Sequence, residues 1–136
     1  MTTGTFKAYP IVYVTAEPGI CGFPCTIKAQ KLNNQVVSVE IGRSECKQIQ
    51  RMATRLSAMS LKELFMPLTR NPVYVAAEKS GCHSSCVIPA AVLKAVEVAL
   101  EMALPRDVSI QFKHETLVKE DPETDDCNEN TECRAI

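Results

Sequence analysis

The sequence predicts an α+β fold with α/β-like character, in which a mixed sheet of about five strands carries two main helices on one face. Apolar residues make up 46% of the 136-residue chain, which is enough for one domain with a sizeable core. Their spacing changes along the chain between the alternation that is typical of strands and the three-to-four-residue period of helices. The predicted order of elements is β-β-β-α-(α)-β-α-β.

Three strands are predicted in the first third of the chain. Ile11–Ala16 alternates and is rich in β-branched and aromatic residues, a pattern typical of a strand. Cys25–Leu32 and Val36–Ile41 follow as a predicted hairpin. Its turn contains Asn33 and Asn34, which adopt positive φ angles more readily than most residues.

The remaining elements alternate between helices and strands. Ser44 is the predicted cap of a first helix, and Leu61–Met66 forms a second, short one that ends before a proline. Val73–Ala77 is predicted as a strand, Pro89 as the first residue of a helix that ends near Ala103, and Val108–Phe112 as the last strand. The apolar stripe of the first helix comprises Cys46, Ile49, Met52 or Ala53, Leu56 and Met59. That of the long helix comprises Val92, Leu93, Val96, Leu100 and Ala103.

One stretch of the sequence occurs twice. Val12–Ala29 aligns with Val73–Ala90 without a gap, and nine of the eighteen positions are identical. Each copy contains a Cys-x-x-x-Cys pair. This pseudo-repeat indicates two equivalent turns that supply one site, or two halves related by an approximate two-fold axis. The alternative is that two strand-then-loop segments use similar residues, which does not account for the cysteines in register.

The predicted topology brings five cysteines to one edge of the sheet. A right-handed helical crossover would make Val73–Ala77 parallel to Val36–Ile41. Ligands usually bind at the carboxyl ends of such parallel strands. The cysteines expected at this edge are Cys21, Cys25, Cys46, Cys82 and Cys86.

These thiols are candidate metal ligands. Thiolates are soft ligands that select zinc, copper(I) or iron–sulfur clusters, and four of them satisfy a tetrahedral zinc or a cluster. The four from the two pairs are Cys21, Cys25, Cys82 and Cys86. His83, inside the second pair, could replace a thiolate, but the first copy has Gly22 at that position.

Cys46 has three possible roles. It follows the predicted cap Ser44 and precedes Lys47, where the helix dipole and a positive charge favour a thiolate. Cys46 is therefore a candidate fifth ligand, an exchangeable ligand or a reactive nucleophile. The alternative is a buried thiol that packs as a small hydrophobic residue.

Three classes of function remain open. The first is a small metal-binding protein for electron transfer, for metal or cluster delivery to an acceptor protein, or for sensing. The second is a thiol–disulfide redox protein or sensor in which Cys46 attacks and a Cys-x-x-x-Cys cysteine resolves. The third is an interaction module with a structural metal. No phosphate loop, zinc-protease motif or nucleophile elbow is present, so the sequence favours a non-enzymatic role.

Composition predicts a cytoplasmic protein. The N-terminus has no signal-peptide pattern, and no apolar run reaches the ~18 residues of a membrane span. Thiols stay reduced in the cytosol, and seven cysteines do not suit a closed disulfide framework. The sequence contains no basic run, so nucleic-acid binding is not indicated. A homodimer is possible if the sheet edges are open.

The charge distribution separates a body from a tail. The formal net charge is −1, but residues 120–136 carry a net charge of −6 and the rest carries +5. We therefore expect a single cysteine-rich domain at residues 1–116 and an acidic, disordered tail at residues 117–136, which includes Cys127 and Cys133.

Four segments of the sequence carry a resemblance. "AEPGICGFPCTIKA", "SECKQI", "NPVY" and "CHSSCVIPAAVLKAVEVAL" resemble a small family of uncharacterised cysteine-rich proteins from anaerobic bacteria and archaea. The resemblance covers Tyr13–Phe112 and carries no established activity. An anaerobic setting would favour oxygen-sensitive metal–thiolate chemistry, by association only.

Overall fold

The computed structural model describes residues 9–118 and confirms the α+β class. Within these residues one antiparallel sheet has the strand order β1-β2-β3-β4. Its strands are β1 (Ile11–Ala16), β2 (Cys25–Lys31), β3 (Val36–Ile41) and β4 (Ala58–Ser60). The helices are α1 (Lys47–Arg55), α2 (Leu61–Leu64), α3 (Pro72–Lys79) and α4 (Ile88–Ala99). The chain divides into a first compact unit that ends at Arg106 and a second unit that starts at Asp107.

The core lies between the sheet and α4. The first three strands form the predicted meander, with Ala16 opposite Cys25 and Ile27 opposite Ile41. Helix α4 packs across β1 and β2 through residues spaced at the helical period. Burying one aliphatic side chain of this kind contributes roughly 1.5–3 kcal/mol. The buried residues of α4 are Ile88, Pro89, Val92, Ala95, Val96 and Ala99.

The turn between β2 and β3 forms, but not with the predicted positive φ angles. Among the described residues, positive φ angles occur at Glu101 and at three glycines, and therefore not at Asn33 or Asn34. The Asn33 side chain closes the turn instead. Its Oδ1 accepts hydrogen bonds from the backbone N–H groups of Gln35 at 2.8 Å and Val36 at 2.9 Å, an Asx turn.

The predicted strand at residues 73–77 is wrong, because this segment belongs to helix α3. Asn71 caps the helix through an N–H donated by Val73 to its Oδ1 at 3.0 Å, and Pro72 occupies the first helical position. Alanine, glutamate and lysine then extend the helix. The cap, the proline and the helix-forming residues together outweigh the strand preference of the β-branched residues and of Tyr74.

The predicted last strand at residues 108–112 is also wrong. It has no regular secondary structure, and the side chains of Val108, Ile110 and Phe112 are exposed. A strand requires a partner, and within the described residues this segment has none. Instead, β4 pairs with β3, with Met59 opposite Val37. The sheet therefore has four antiparallel strands rather than about five mixed ones, and the observed order of helices and strands is β-β-β-α-β-α-α-α.

The pseudo-repeat is not a structural repeat. The first copy forms β1, a loop and β2, whereas the second forms α3, a loop and α4. The two halves are therefore not related by a two-fold axis. In both copies, the first cysteine of the pair lies in the segment between the two elements.

Two further predictions concern the acidic tail and the absence of a membrane span. Residues 119–136, which include most of the acidic tail with Cys127 and Cys133, lie outside the described residues. No helix among residues 9–118 is both long enough and apolar enough to span a membrane.

Candidate functional site

The first cysteine pair spans the loop that joins β1 to β2 and the first residue of β2. The loop contains a short 3-10 turn, Gly19–Cys21, which ends at Gly22 with a φ of +66°. The Gly22 N–H donates to the Gly19 carbonyl at 2.9 Å. Cys25 is the first residue of β2 and is only 2% exposed. Cys21 is therefore held in the loop, and Cys25 is held in the core.

The second pair lies in the loop between α3 and α4. The N–H of Cys82 donates to the carbonyl of Ala77 at 3.0 Å, and Gly81 before it has a φ of +76°. This arrangement satisfies the last carbonyls of α3. The N–H of Cys86 donates to the carbonyl of His83 at 3.1 Å, and α4 begins two residues later. Both cysteines are half-buried and pack against the core.

Cys46 is the N-cap of α1, a position that the sequence assigned to Ser44. The Ser44 hydroxyl accepts the Cys46 N–H at 3.2 Å, so it stabilises the turn before the helix rather than the helix itself. The Cys46 thiol donates to Gln48 Oε1 at 3.2 Å. Cys46 is half-buried and packs against the core, as the two cysteines of the second pair do.

The pKa values of Cys25 and Cys82 are raised by burial and by neighbouring thiols. Burial raises the pKa of the Cys25 thiol, and the negative charges of Cys86 and Cys46 raise it further. The pKa of Cys82 is raised by burial and then by Cys86 and Cys46, while the positive charge of Arg51 opposes the rise. Thiolates within electrostatic range repel, so each favours the protonated form of the others.

Cys86 is the thiol whose pKa links Cys21 to this group. Burial raises the pKa of Cys86. The backbone N–H of Ile88 opposes the rise because it donates to the thiolate, whereas Cys46 and Cys21 add to it. Each of the five thiols therefore lies within electrostatic range of at least one other. We call Cys21, Cys25, Cys46, Cys82 and Cys86 the thiol cluster.

The route by which the cluster forms differs from the predicted one. No parallel strands bring the thiols to a carboxyl-end edge, since every strand pairing of the described sheet is antiparallel. The thiols instead come from the loop after β1, the start of β2, the N-terminus of α1 and the loop between α3 and α4.

The thiols of the cluster are free, and they are near one another without being in coordination geometry. Within residues 9–118, no three or more His, Cys, Asp or Glu side chains are grouped closely enough to hold one metal ion. Binding of a single ion would therefore require the thiols to move towards each other.

Arg51 is a functional candidate that sequence reasoning missed. Its Nη1 donates to the carbonyl of Ser80 at 3.4 Å, which brings the guanidinium to the loop that carries Cys82. Ser80 itself is buried, and its hydroxyl has no hydrogen-bond partner in the described part of the chain. No motif could have indicated Arg51, because its position depends on the packing of α1 against α3.

The fold and the thiol cluster together define a small α+β domain with a half-buried group of cysteines. A family model described as a family of unknown function, DUF6951, matches residues 12–112, and the chain belongs to this family. The match contains the whole thiol cluster, whereas Cys127 and Cys133 lie beyond it. No curated protein and no solved structure matches the chain.

Proposed function

We propose that this protein binds a thiophilic metal centre, zinc or an iron–sulfur cluster, through the thiol cluster. Its role would be electron transfer, metal or cluster delivery, or sensing in the cytoplasm. The observation that carries the proposal is that Cys25 lies in the core and that Cys46, Cys82 and Cys86, which come from other elements, pack against it. Thiolates are the preferred ligands of zinc, copper(I) and iron–sulfur clusters.

The electrostatics of the cluster favour a metal over a reactive thiol. Burial and mutual repulsion raise the pKa values of Cys25, Cys82 and Cys86. A nucleophilic cysteine needs a lowered pKa, because the thiolate is the attacking species. A bound cation would reverse the repulsion, since it stabilises several thiolates at once.

The loops provide the freedom that closure around a metal requires. Gly19 and Gly22 lie on either side of Cys21, Gly81 directly precedes Cys82, and all three glycines have positive φ angles. Glycine changes backbone conformation at little steric cost. The loops can therefore adjust while the ends of β2 and α4 stay fixed in the core.

Metal analysis of the full chain tests the proposal. Protein purified without oxygen is assayed for zinc, iron and acid-labile sulfide, and its visible spectrum is recorded. We expect one metal centre per chain, with the sulfide content separating a cluster from zinc. The variants Cys25→Ser and Cys82→Ser should lose the metal. A matched double variant outside the family match, Cys127→Ser with Cys133→Ser, should keep it. Full-length protein that binds no metal while its thiols stay reduced would contradict the proposal.

The same variants separate a structural metal from a functional one. If the metal is structural, the cysteine variants should lose the metal and the fold together, because metal binding and folding are then coupled. If the metal serves transfer or sensing, the variants should lose the metal and keep the circular-dichroism spectrum of the wild type.

A thiol–disulfide function is the second candidate, and the position of Cys46 favours it. Cys46 caps the nine-residue helix α1, and its thiol is half-buried, whereas that of Cys25 is buried. Oxidation by one equivalent of peroxide would convert two thiols into one disulfide and reduce the peroxide to water. This candidate predicts a single disulfide between Cys46 and a cysteine of one pair, which peptide mapping would detect.

A further inference from the structure

We propose that the outer edge of β1 is a dimer interface, at which β1 pairs antiparallel with β1 of a second copy around a two-fold axis at Tyr13. The pairing joins two four-stranded sheets into one continuous sheet. Strand β1 contains no cysteine, so this role is independent of the proposed metal-binding function.

Strand β1 is an edge strand that lacks the usual protection against pairing. Within the described residues it pairs with β2 on one side and with no strand on the other. Natural sheets protect their edges with charged side chains, prolines, bulges or very short strands. The opposite edge, β4, has only three residues. By contrast, β1 has six residues with the sequence IVYVTA, and its register with β2 contains no bulge.

The hydrogen bonds of β2 show which backbone groups of β1 point outwards. At the two ends of β2, the Leu32 N–H donates to the Val36 carbonyl at 2.9 Å, and the Thr26 carbonyl accepts the Gly42 N–H at 2.7 Å. Successive residues of a strand direct their backbone groups to opposite sides. The even-numbered residues of β2 therefore face β3, and the odd-numbered ones face β1. The residues of β1 opposite these odd-numbered positions are Val12, Val14 and Ala16.

The remaining residues of β1 form a self-complementary edge. Ile11, Tyr13 and Thr15 direct their N–H and C=O groups away from β2. When Tyr13 lies opposite the second copy's Tyr13, Ile11 lies opposite the second copy's Thr15. Each of these N–H groups then meets a carbonyl of the other chain, which gives six hydrogen bonds around the axis. A register shifted by two residues would place Ile11 or Thr15 opposite a residue outside β1. Identical strands related by a two-fold axis therefore satisfy this edge completely.

The side chains of β1 are also compatible with this pairing. Tyr13 is 64% exposed and Ile11 is 43% exposed, and the pairing would cover part of both. Cross-strand aromatic pairs, such as the one that the two Tyr13 side chains would form, stabilise antiparallel sheets. On the inner face, the half-buried Val12 would lie opposite the second copy's Val14. No charged residue occurs in β1, so no like charges face each other.

The helices allow the two chains to approach. Helix α4 packs over both β1 and β2, so the α4 helices of the two copies would lie on the same face of the joined sheet. Neighbouring strands are about 4.8 Å apart, which places the two α4 axes roughly 10 Å apart. Packed helices commonly lie at such a distance.

The mass of the reduced, metal-free, full-length protein tests the interface. We expect sedimentation equilibrium to give twice the mass of one chain. Tyr13→Lys places two like charges opposite each other at the axis, and we expect it to raise the dissociation constant of the dimer by about tenfold or more. Phe65→Lys is the matched control, because Phe65 is an equally exposed aromatic residue, at 65%, outside the sheet. This variant should keep the wild-type dissociation constant.

Amide hydrogen exchange, resolved by NMR, tests the register. In the dimer, exchange at the Ile11, Tyr13 and Thr15 amides should be slower by about tenfold or more than in the Tyr13→Lys monomer. The Val12 and Val14 amides should be protected in both, because they bond to β2 within one chain. Tyr13→Pro removes an N–H that has no partner in the described part of a single chain, so this variant should fold and be monomeric.

Several results would overturn the interface. A monomeric wild type with unprotected Ile11, Tyr13 and Thr15 amides would show that the edge stays open. A monomer in which these amides are protected would show that another segment of the same chain covers the edge. A dimer in which they exchange freely, or a Tyr13→Lys dimer as tight as the wild type, would place the contact on another surface. Circular dichroism shows whether each variant folds, and Thr15→Lys repeats the test if Tyr13→Lys does not.

Discussion

The guanidinium of Arg51 donates a hydrogen bond to the carbonyl of Ser80 over 3.4 Å, across the contact between α1 and α3. The contact brings a positive charge to the loop of Cys82, and this charge partly offsets the burial and repulsion that raise the pKa of Cys82. No carboxylate among the described residues forms an ion pair with Arg51. Its charge therefore acts on the Cys82 thiol.

Replacement of Arg51 should make Cys82 less reactive. In the metal-free protein, Arg51→Met removes the opposing charge, so the pKa of Cys82 rises and less thiolate is present at neutral pH. We expect alkylation of Cys82 by iodoacetamide to slow by about two- to fivefold, the size of an exposed charge interaction. Mass spectrometry of the Cys82 peptide measures the rate. Arg55→Met, at the end of the same helix, is the control and should leave the rate unchanged; an equal rate in both variants would refute the role of Arg51.

Metal-free protein should lose stability at alkaline pH. The folded state raises the pKa values of Cys25, Cys82 and Cys86, so it binds protons more tightly than the unfolded chain does. The stabilisation is fully present below the ordinary thiol pKa of about 8.5 and is lost as pH rises through the higher folded values. Urea unfolding between pH 7 and 10 measures this loss. In the triple variant with serine at these positions, stability should decrease less as the pH rises. If the triple variant loses as much stability as the wild type, groups other than these thiols cause the loss.

The cap of α3 should contribute measurably to stability. Asn71 is buried, its Oδ1 accepts the Val73 N–H at 3.0 Å, and its Nδ2 donates to the Glu63 carbonyl at 3.2 Å. Asn71→Ala removes both bonds, and we expect the free energy of unfolding to fall by about 1–3 kcal/mol. Denaturant titration checks the value. The exposed Asn34→Ala in the β2–β3 turn should change it by less than about 0.5 kcal/mol, and similar losses in the two variants would contradict the capping role.

Local patterns in the sequence predicted the elements whose stability is local. The alternation of residues 11–16 predicted β1, the turn at Asn33 and Asn34 predicted the hairpin of β2 and β3, and the apolar spacing after Pro89 predicted α4. The segment "NPVYVAAEK" was misassigned because β-branched residues were given more weight than the cap and proline before them. That signal was present in the sequence and was misread.

Other features depend on tertiary contacts that no local pattern carries. Residues 108–112 alternate as a strand does, yet alternation does not supply a pairing partner. Strand β4 has three residues, too few for periodicity to show. The predicted topology placed five thiols at one edge of the sheet, whereas in the structure Cys25 lies in the core and Cys46, Cys82 and Cys86 pack against it.

The most direct test of metal binding is a titration of the reduced, metal-free protein with zinc in weak buffer near pH 7, with the released protons counted. Thiols whose pKa values are raised are protonated at this pH and must lose their protons to bind. We expect one zinc per chain, with the release of protons from the thiols that bind it. Zinc that binds without proton release, or that fails to bind while all thiols are reduced, would contradict the metal–thiolate account.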